Sequence, residues 1–252
     1  MREKQFSSAA IKDSEVQILK CVWEHNGNDT LLYCVDYVGA YTRGESLEIA
    51  MAKMDAETEA YAAWSNQRGT SDYGIEIVQE KCSDLQIADA DSDVLFDAET
   101  GPLSQDEYDG LKALVLKSAE DFYALYTSIP DKHQSCLPAR QTFYGQVPRT
   151  AQQMYDHTKN VNAYYFGEIG IDADNEGTIC DCRKRGFELL EQTAGFLDNT
   201  VVEGSYGELW SLRKMMRRFL WHDRIHAKAM YRMAVKTFGA FSTADPFHFA
   251  KK

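Results

Sequence analysis

The chain has 252 residues, 44% hydrophobic, 26% charged and 12% aromatic, with 5 prolines and 16 glycines, which supports a buried core and excludes collagen-like, low-complexity and largely disordered chains. No apolar run approaches the ~20 residues of a membrane span, and MREKQFSSAAIKDSE has no signal-peptide apolar segment, so a cytoplasmic protein with no membrane partner and six reduced cysteines is expected. The net charge of -12 arises entirely in residues 1–100, which hold 8 Lys+Arg against 20 Asp+Glu while the remainder holds 19 of each; such a field repels phosphate backbones and argues against a nucleic-acid partner.

Residues 16–23 and 31–38 are rich in β-branched and aromatic side chains, and Asn26-Gly27-Asn28-Asp29 between them signals a hairpin. Ser46 is a candidate N-cap for a helix carrying Leu47, Ala50, Met54, Tyr61 and Trp64. Strand-like segments follow at Tyr73 to Val78 and Val94 to Phe96. The charge step near residue 100, with Thr100-Gly101-Pro102, predicts a boundary, hence a small acidic α+β domain over residues 1–101. The stretch from Tyr37 to Ala50, with Gly39, Thr42, Gly44 and Ala50 in place, resembles the HicB-like antitoxin fold. Val38-Gly39-Ala40 stands where that family has Pro-Gly-Cys, and no DNA-binding segment follows, so the resemblance implies a fold and not an antitoxin role.

Residues 102–252 read as helical. Ser104 to Glu107 is a capping box preceding Leu111, Val115, Phe122 and Leu125 at helical spacing. Thr150 to Gln153 is another, opening a helix with Met154, His157, Val161 and Tyr164 on one stripe. A third stripe runs through Phe187, Leu190, Ala194 and Leu197, and the last through Leu212, Met215, Phe219, His222, His226, Ala229 and Met233. An unbroken helix over 205–239 would be ~50 Å long, so a break or kink is expected there. Four amphipathic helices imply a helical bundle.

His222 and His226 lie one turn apart on one helix face, and His157 lies on the stripe of another helix. A lone buried histidine is ordinarily a hydrogen-bonded core residue, but three on inward stripes form a convergent nitrogen set with open positions. Neutral imidazoles suit zinc, nickel or iron(II), and open positions distinguish a catalytic metal site from a closed structural one. This spacing, with Tyr155-Asp156-His157 ahead of His222-x-x-x-His226 in the last helix, resembles the DinB-like superfamily over about residues 103–240. That group includes thiol-dependent S-transferases and a mycothiol-dependent maleylpyruvate isomerase. The resemblance implies a four-helix bundle that binds a divalent metal through His157, His222 and His226, and a homodimer.

A metal so held could bind a low-molecular-weight thiol as thiolate or activate a water. The sequence therefore points to a metal-dependent transferase or hydrolase acting on a small molecule, with its catalytic residues unassigned. The alternative is a non-catalytic regulatory protein, in which the acidic segment recognises a protein partner and the bundle is a dimerising scaffold. Asp156 and Asp223 are each ~100° around a helix from a ligand and are expected in solvent. Glu168 is ~16 Å along the helix from His157, too far to share its metal. Tyr164 and Tyr165 are expected in core packing, and His25 and His248 in solvent. Arg217 and Arg218 could meet an anionic substrate, although a solvated face is the expected place for both. The acidic runs at 89–100 and 172–183 fail as calcium loops for lack of the twelfth-position glutamate. His133 and Cys136 with Cys180 and Cys182 have unusual spacing for structural zinc. There is no phosphate-binding glycine loop, nucleophile elbow or Ser-His-Asp pattern.

Overall fold

In a computed structural model describing residues 17–67, 73–89, 91–142 and 145–250, apart from the Phe241 side chain, helices and sheet combine as an α+β protein. β1 (Gln17–His25) and β2 (Thr30–Cys34) form the expected antiparallel hairpin, with Cys21 opposite Cys34. Asn26 holds the turn, its side-chain oxygen accepting from the N–H groups of Asn28 and Asp29. β3 (Tyr41–Gly44), which the sequence pattern did not reveal, pairs antiparallel with β2. β4 (Tyr73–Cys82) lies parallel to β1, so the sheet order is β3-β2-β1-β4.

The connection from β3 to β4 is helical but broken, into α1 (Leu47–Met51) and α2 (Met54–Ser65). Ser46 caps α1 as expected, accepting from the N–H of Ile49. Val94 to Phe96 is extended but is no strand. The Val94 carbonyl accepts from Arg217 and the Phe96 N–H donates to Glu99, so side chains replace a ladder partner.

Four longer helices follow: α3 (Gln105–Ser128), α4 (Ala151–Gly167), α5 (Ile179–Leu190) and α6 (Leu212–Phe238). Both expected capping boxes open their helices, Ser104 with Glu107 and Thr150 with Gln153, and a third forms from Thr178 and Asp181. α5 ends at Leu190, so Ala194 and Leu197 do not continue its stripe; Ala194 is exposed and Leu197 lies in a 3-10 turn beyond Gly195, whose φ is 71°. The α3–α4 connection carries the short pair β5 (Gln141–Thr142) and β6 (Gly145–Gln146), and the α5–α6 connection carries β7 (Val202–Glu203) and β8 (Leu209–Trp210). The expected interruption of the last helix lies in this second connection; α6 itself runs 27 residues unbroken, about 40 Å.

α3, α4, α5 and α6 pack against one another, and α6 also meets the sheet segment. From Lys214 to Arg224 every residue of α6 is buried, because both flanks of the helix are covered. Trp221 packs with Tyr33 and Tyr41, at ring separations of 5.9 and 6.2 Å. Arg217, Arg218 and Asp223 are therefore buried, contrary to the solvated positions expected of them. Charged residues there need partners, and most have them: Arg217 pairs with Glu99, Arg224 with Glu57 and Asp223 with Arg183. One apolar interior runs from Leu19 and Leu32 of the sheet to Phe219 and Met233 of α6.

At Gly39 the sheet segment and helix come close together. Its φ is 90°, and a Cβ there would stand 2.5 Å from Leu220 Cβ and 3.1 Å from the Trp221 nitrogen. Gly39→Ala combines a left-handed backbone with overpacking against a buried helix, and a loss of about 2–3 kcal/mol is expected. Urea unfolding measures it; a loss below about 0.5 kcal/mol would mean that this contact yields easily.

Candidate metal centre

The sequence of α4 places its histidine at an edge. The buried face carries Met154, Tyr155, Thr158, Asn162, Tyr165 and Phe166. Asn162 is admitted because its amide donates to the carbonyls of Asp174 and Cys182, at 2.8 and 3.2 Å. The expected stripe through Met154, His157, Val161 and Tyr164 is thus rotated from the true one: Met154 is buried and Val161 half-buried, but His157 and Tyr164 are exposed. An apolar count cannot see a buried asparagine, and this shifted the inferred face.

On α6, Ser211 caps the first turn by accepting from the Lys214 N–H. The regular helix then carries His222, buried, and His226, half-buried, one turn apart on the side of α4. The three rings converge: His222 Nε2 lies 3.2 Å from His157 Nε2. The ring centroids of His226 are 4.6 Å from His157 and 4.4 Å from His222. One candidate ligand atom from each ring lies within 4.8 Å of the others, the only such group of three among the described residues. His157 forms the outer rim, so the triad has one side toward the interior and one toward solvent.

The electrostatics favour neutral rings. Burial holds the His222 imidazole well below its ordinary value, and the neighbouring His226, His157, Arg218 and Arg183 act in the same direction. His226 is pushed down to about 3 by burial and by His157. Desolvation lowers His157 as well. At neutral pH all three therefore offer lone pairs and not charge.

This donor set fits a divalent metal. A tetrahedral zinc with Zn–N distances of about 2.0–2.1 Å sets its nitrogens about 3.3 Å apart, close to the 3.2 Å between His222 and His157. The candidate ligand atoms of all three rings lie within 4.8 Å of one another. Three nitrogens without a carboxylate leave positions for an exogenous ligand. His222 Nδ1 is buried without a hydrogen-bond partner, so this ring lacks the acceptor that commonly orients a ligating imidazole.

The other expected residues are distributed as follows. Asp156 is in solvent, as expected, accepting from Gln152 at 3.0 Å. Asp223, expected in solvent, is buried next to His222 in the chain and receives Arg183 through two bonds of 3.2 and 3.3 Å. Tyr165 packs edge-on to His222 at 5.9 Å, in the core as expected, whereas Tyr164 is outside it. Glu168 is at the far end of α4 and accepts from the Ser205 N–H at 2.6 Å. His248 is exposed, but His25 stacks on Trp23 at 4.1 Å and meets Glu80 at 3.0 Å. His133, Cys136, Cys180 and Cys182 do not gather into a ligand group among the described residues. Sequence reasoning missed Arg183 beside the site, since an arginine on α5 carries no mark of burial. Arg218 did carry a signal, standing four residues before His222 on the same helix face.

Compared with family models, with curated proteins and with solved structures, the chain finds no significant match.

Proposed function

We propose that the protein binds a divalent metal (zinc, nickel or iron(II)) through His157, His222 and His226 and works as a metal-dependent transferase or hydrolase on a small molecule. The observation that carries this reading is the convergence of three neutral imidazoles, from two helices, on one point with an open outer side. When bound, the metal would lower the pKa of a thiol or a water at its open position. The chain's own part is to hold the rings. α6 sets the spacing of His222 and His226, and the packed Tyr165 and Phe219 side chains fix the inner wall. The helix order and the placing of the triad on α4 and α6 agree with the DinB-like resemblance, and with it come a low-molecular-weight thiol as co-substrate and a homodimer. The sheet segment is read as HicB-like, joined to this unit.

The regulatory alternative rests on the charge asymmetry and the HicB-like stretch. The same segment buries Glu57 and Glu99 against α6 arginines, which favours one joined unit over a separate recognition module.

Metal analysis of the purified full-length protein tests the proposal. About one divalent ion per chain is expected in the wild type, and close to none in folded His222→Ala or His226→Ala protein. Equal stoichiometry in wild type and variants would reject the assignment. The loaded protein would then be screened for turnover with small thiols and electrophiles.

A further inference from the structure

Among the described residues four arginines are buried: Arg183, Arg217, Arg218 and Arg224. Three are matched with carboxylates, Arg183 with Asp223, Arg217 with Glu99 and Arg224 with Glu57. Buried Lys214 is matched too, with Glu208 at 2.8 Å. Arg218 differs from all of them. Among the described residues no carboxylate lies within 4.0 Å of its guanidinium. Its Nη1 donates to the Ser92 carbonyl at 2.7 Å, and its Nε is buried with no partner. The nearest acids are engaged elsewhere: Glu208 holds Lys214, and Glu24 accepts from Ser92 Oγ and the Asp93 N–H.

The place of Arg218 gives this meaning. It precedes His222 by one helical turn on the same face of α6. Its guanidinium is 5.7 Å from the Tyr165 ring, and that ring is 5.9 Å from His222. The side chain is 9% exposed, against 0% for Arg183 and Arg224 and 2% for Arg217, so of the four it has the most access from outside. Packing against Trp221 and Trp210, at 4.7 and 5.7 Å, limits its freedom to turn away.

An ion held by three neutral imidazoles keeps its full double charge, and Arg218 adds another across the Tyr165 ring from His222. A buried guanidinium without an anion is costly, and a ligand that brought one would be favoured by both charges. We infer that Arg218 is a specificity-determining residue that binds a carboxylate on the small molecule occupying the open side of the His157–His222–His226 site. The inference rests on the metal-site reading and adds the chemical class of its ligand. Arg217, the other arginine that the sequence offered for this role, is excluded because Glu99 occupies it.

The test uses cobalt(II)-loaded full-length protein and two thiols that differ only at the far end, 3-mercaptopropionate and its uncharged amide, 3-mercaptopropionamide. Binding is read from sulfur-to-cobalt charge-transfer absorbance; a carboxylate that merely chelates the cobalt gives a preference that Arg218→Met keeps, whereas one held by Arg218 loses it. In the wild type the carboxylate thiol is expected to bind about tenfold or more tighter, as a charge-assisted pair implies. In Arg218→Met the preference should fall to about twofold or less with cobalt stoichiometry unchanged, and Arg218→Lys should retain part of it. If Arg218→Met fails to fold, the wild type and the lysine variant decide. Equal binding of the two thiols to the wild type, or full preference in a folded methionine variant, overturns the inference and leaves the metal site standing. Failure to bind cobalt at all overturns both.

Discussion

Asp223→Ala is expected to destabilise the protein by about 3–5 kcal/mol, the loss typical of breaking a buried ion pair from one side. Asp223 and Arg183 are both fully buried, joined by two hydrogen bonds of 3.2 and 3.3 Å, and the Arg183 guanidinium lies 3.7 Å from the centre of the Phe219 ring. Burial pushes the Asp223 carboxyl up while Arg183 pulls it down, so the carboxylate depends on this partner. Removing it leaves a guanidinium enclosed by aromatic and aliphatic side chains. The double variant Asp223→Leu/Arg183→Met should recover much of the loss, because both desolvation penalties vanish together. Denaturant unfolding of the single and double variants measures this; an additive double loss would show that the pair is not coupled. The pair also ties α6 to α5 beside His222, so Asp223→Ala should loosen metal retention without removing a ligand.

The metal-free protein is expected to lose stability steeply between pH 6.5 and 4.5. His226 is held at about 3 in the folded chain, against an ordinary value of 6.5, and His222 is also lowered. Below pH 6.5 the unfolded chain takes up protons at these rings while the folded chain refuses them. Their neutral burial is therefore fully tolerated above pH 6.5 and disfavoured progressively as pH falls toward 3. Each ring so held contributes a slope of about 1.4 kcal/mol per pH unit, or about 2–3 kcal/mol from His226 over this interval. Glu24 and Asp223 oppose the trend, since burial raises both carboxyls and lets the folded chain bind protons that the unfolded chain releases. His226→Gln should flatten the profile by one imidazole's worth. Unfolding free energies at the two pH values, in wild type and variant, supply the check, and identical profiles would show that His226 is not kept neutral by the fold.

The elements that local chemistry specifies were legible. The hairpin at Asn26, the cap at Ser46, and the boxes at Ser104 and Thr150 depend on residues within a few positions of one another. The regular spacing of His222 and His226 is likewise a property of one helix. β3 escaped notice because Tyr41 to Gly44 is short and its identity as a strand comes from β2 beside it. Val94 to Phe96 looked like a strand because its side chains are apolar, but it joins no ladder among the described residues, and the side chains of Arg217, Gln79 and Glu99 take its backbone groups.

The sequence by itself determined that helices begin after Ser46, Ser104 and Thr150, and that three imidazoles would be candidates for one site, since these follow from capping and periodicity within single segments. Only the tertiary structure decided which charges are interior. Arg217, Arg218 and Asp223 read as solvated until the sheet segment and α5 cover both sides of α6. The physical reason is that an ion's burial depends on a distant partner, as Glu57 is to Arg224 and Glu99 to Arg217. Such pairings leave no periodic trace along the chain. For the same reason it takes three dimensions to see that Arg218 is a buried cation with no carboxylate among the described residues within 4.0 Å.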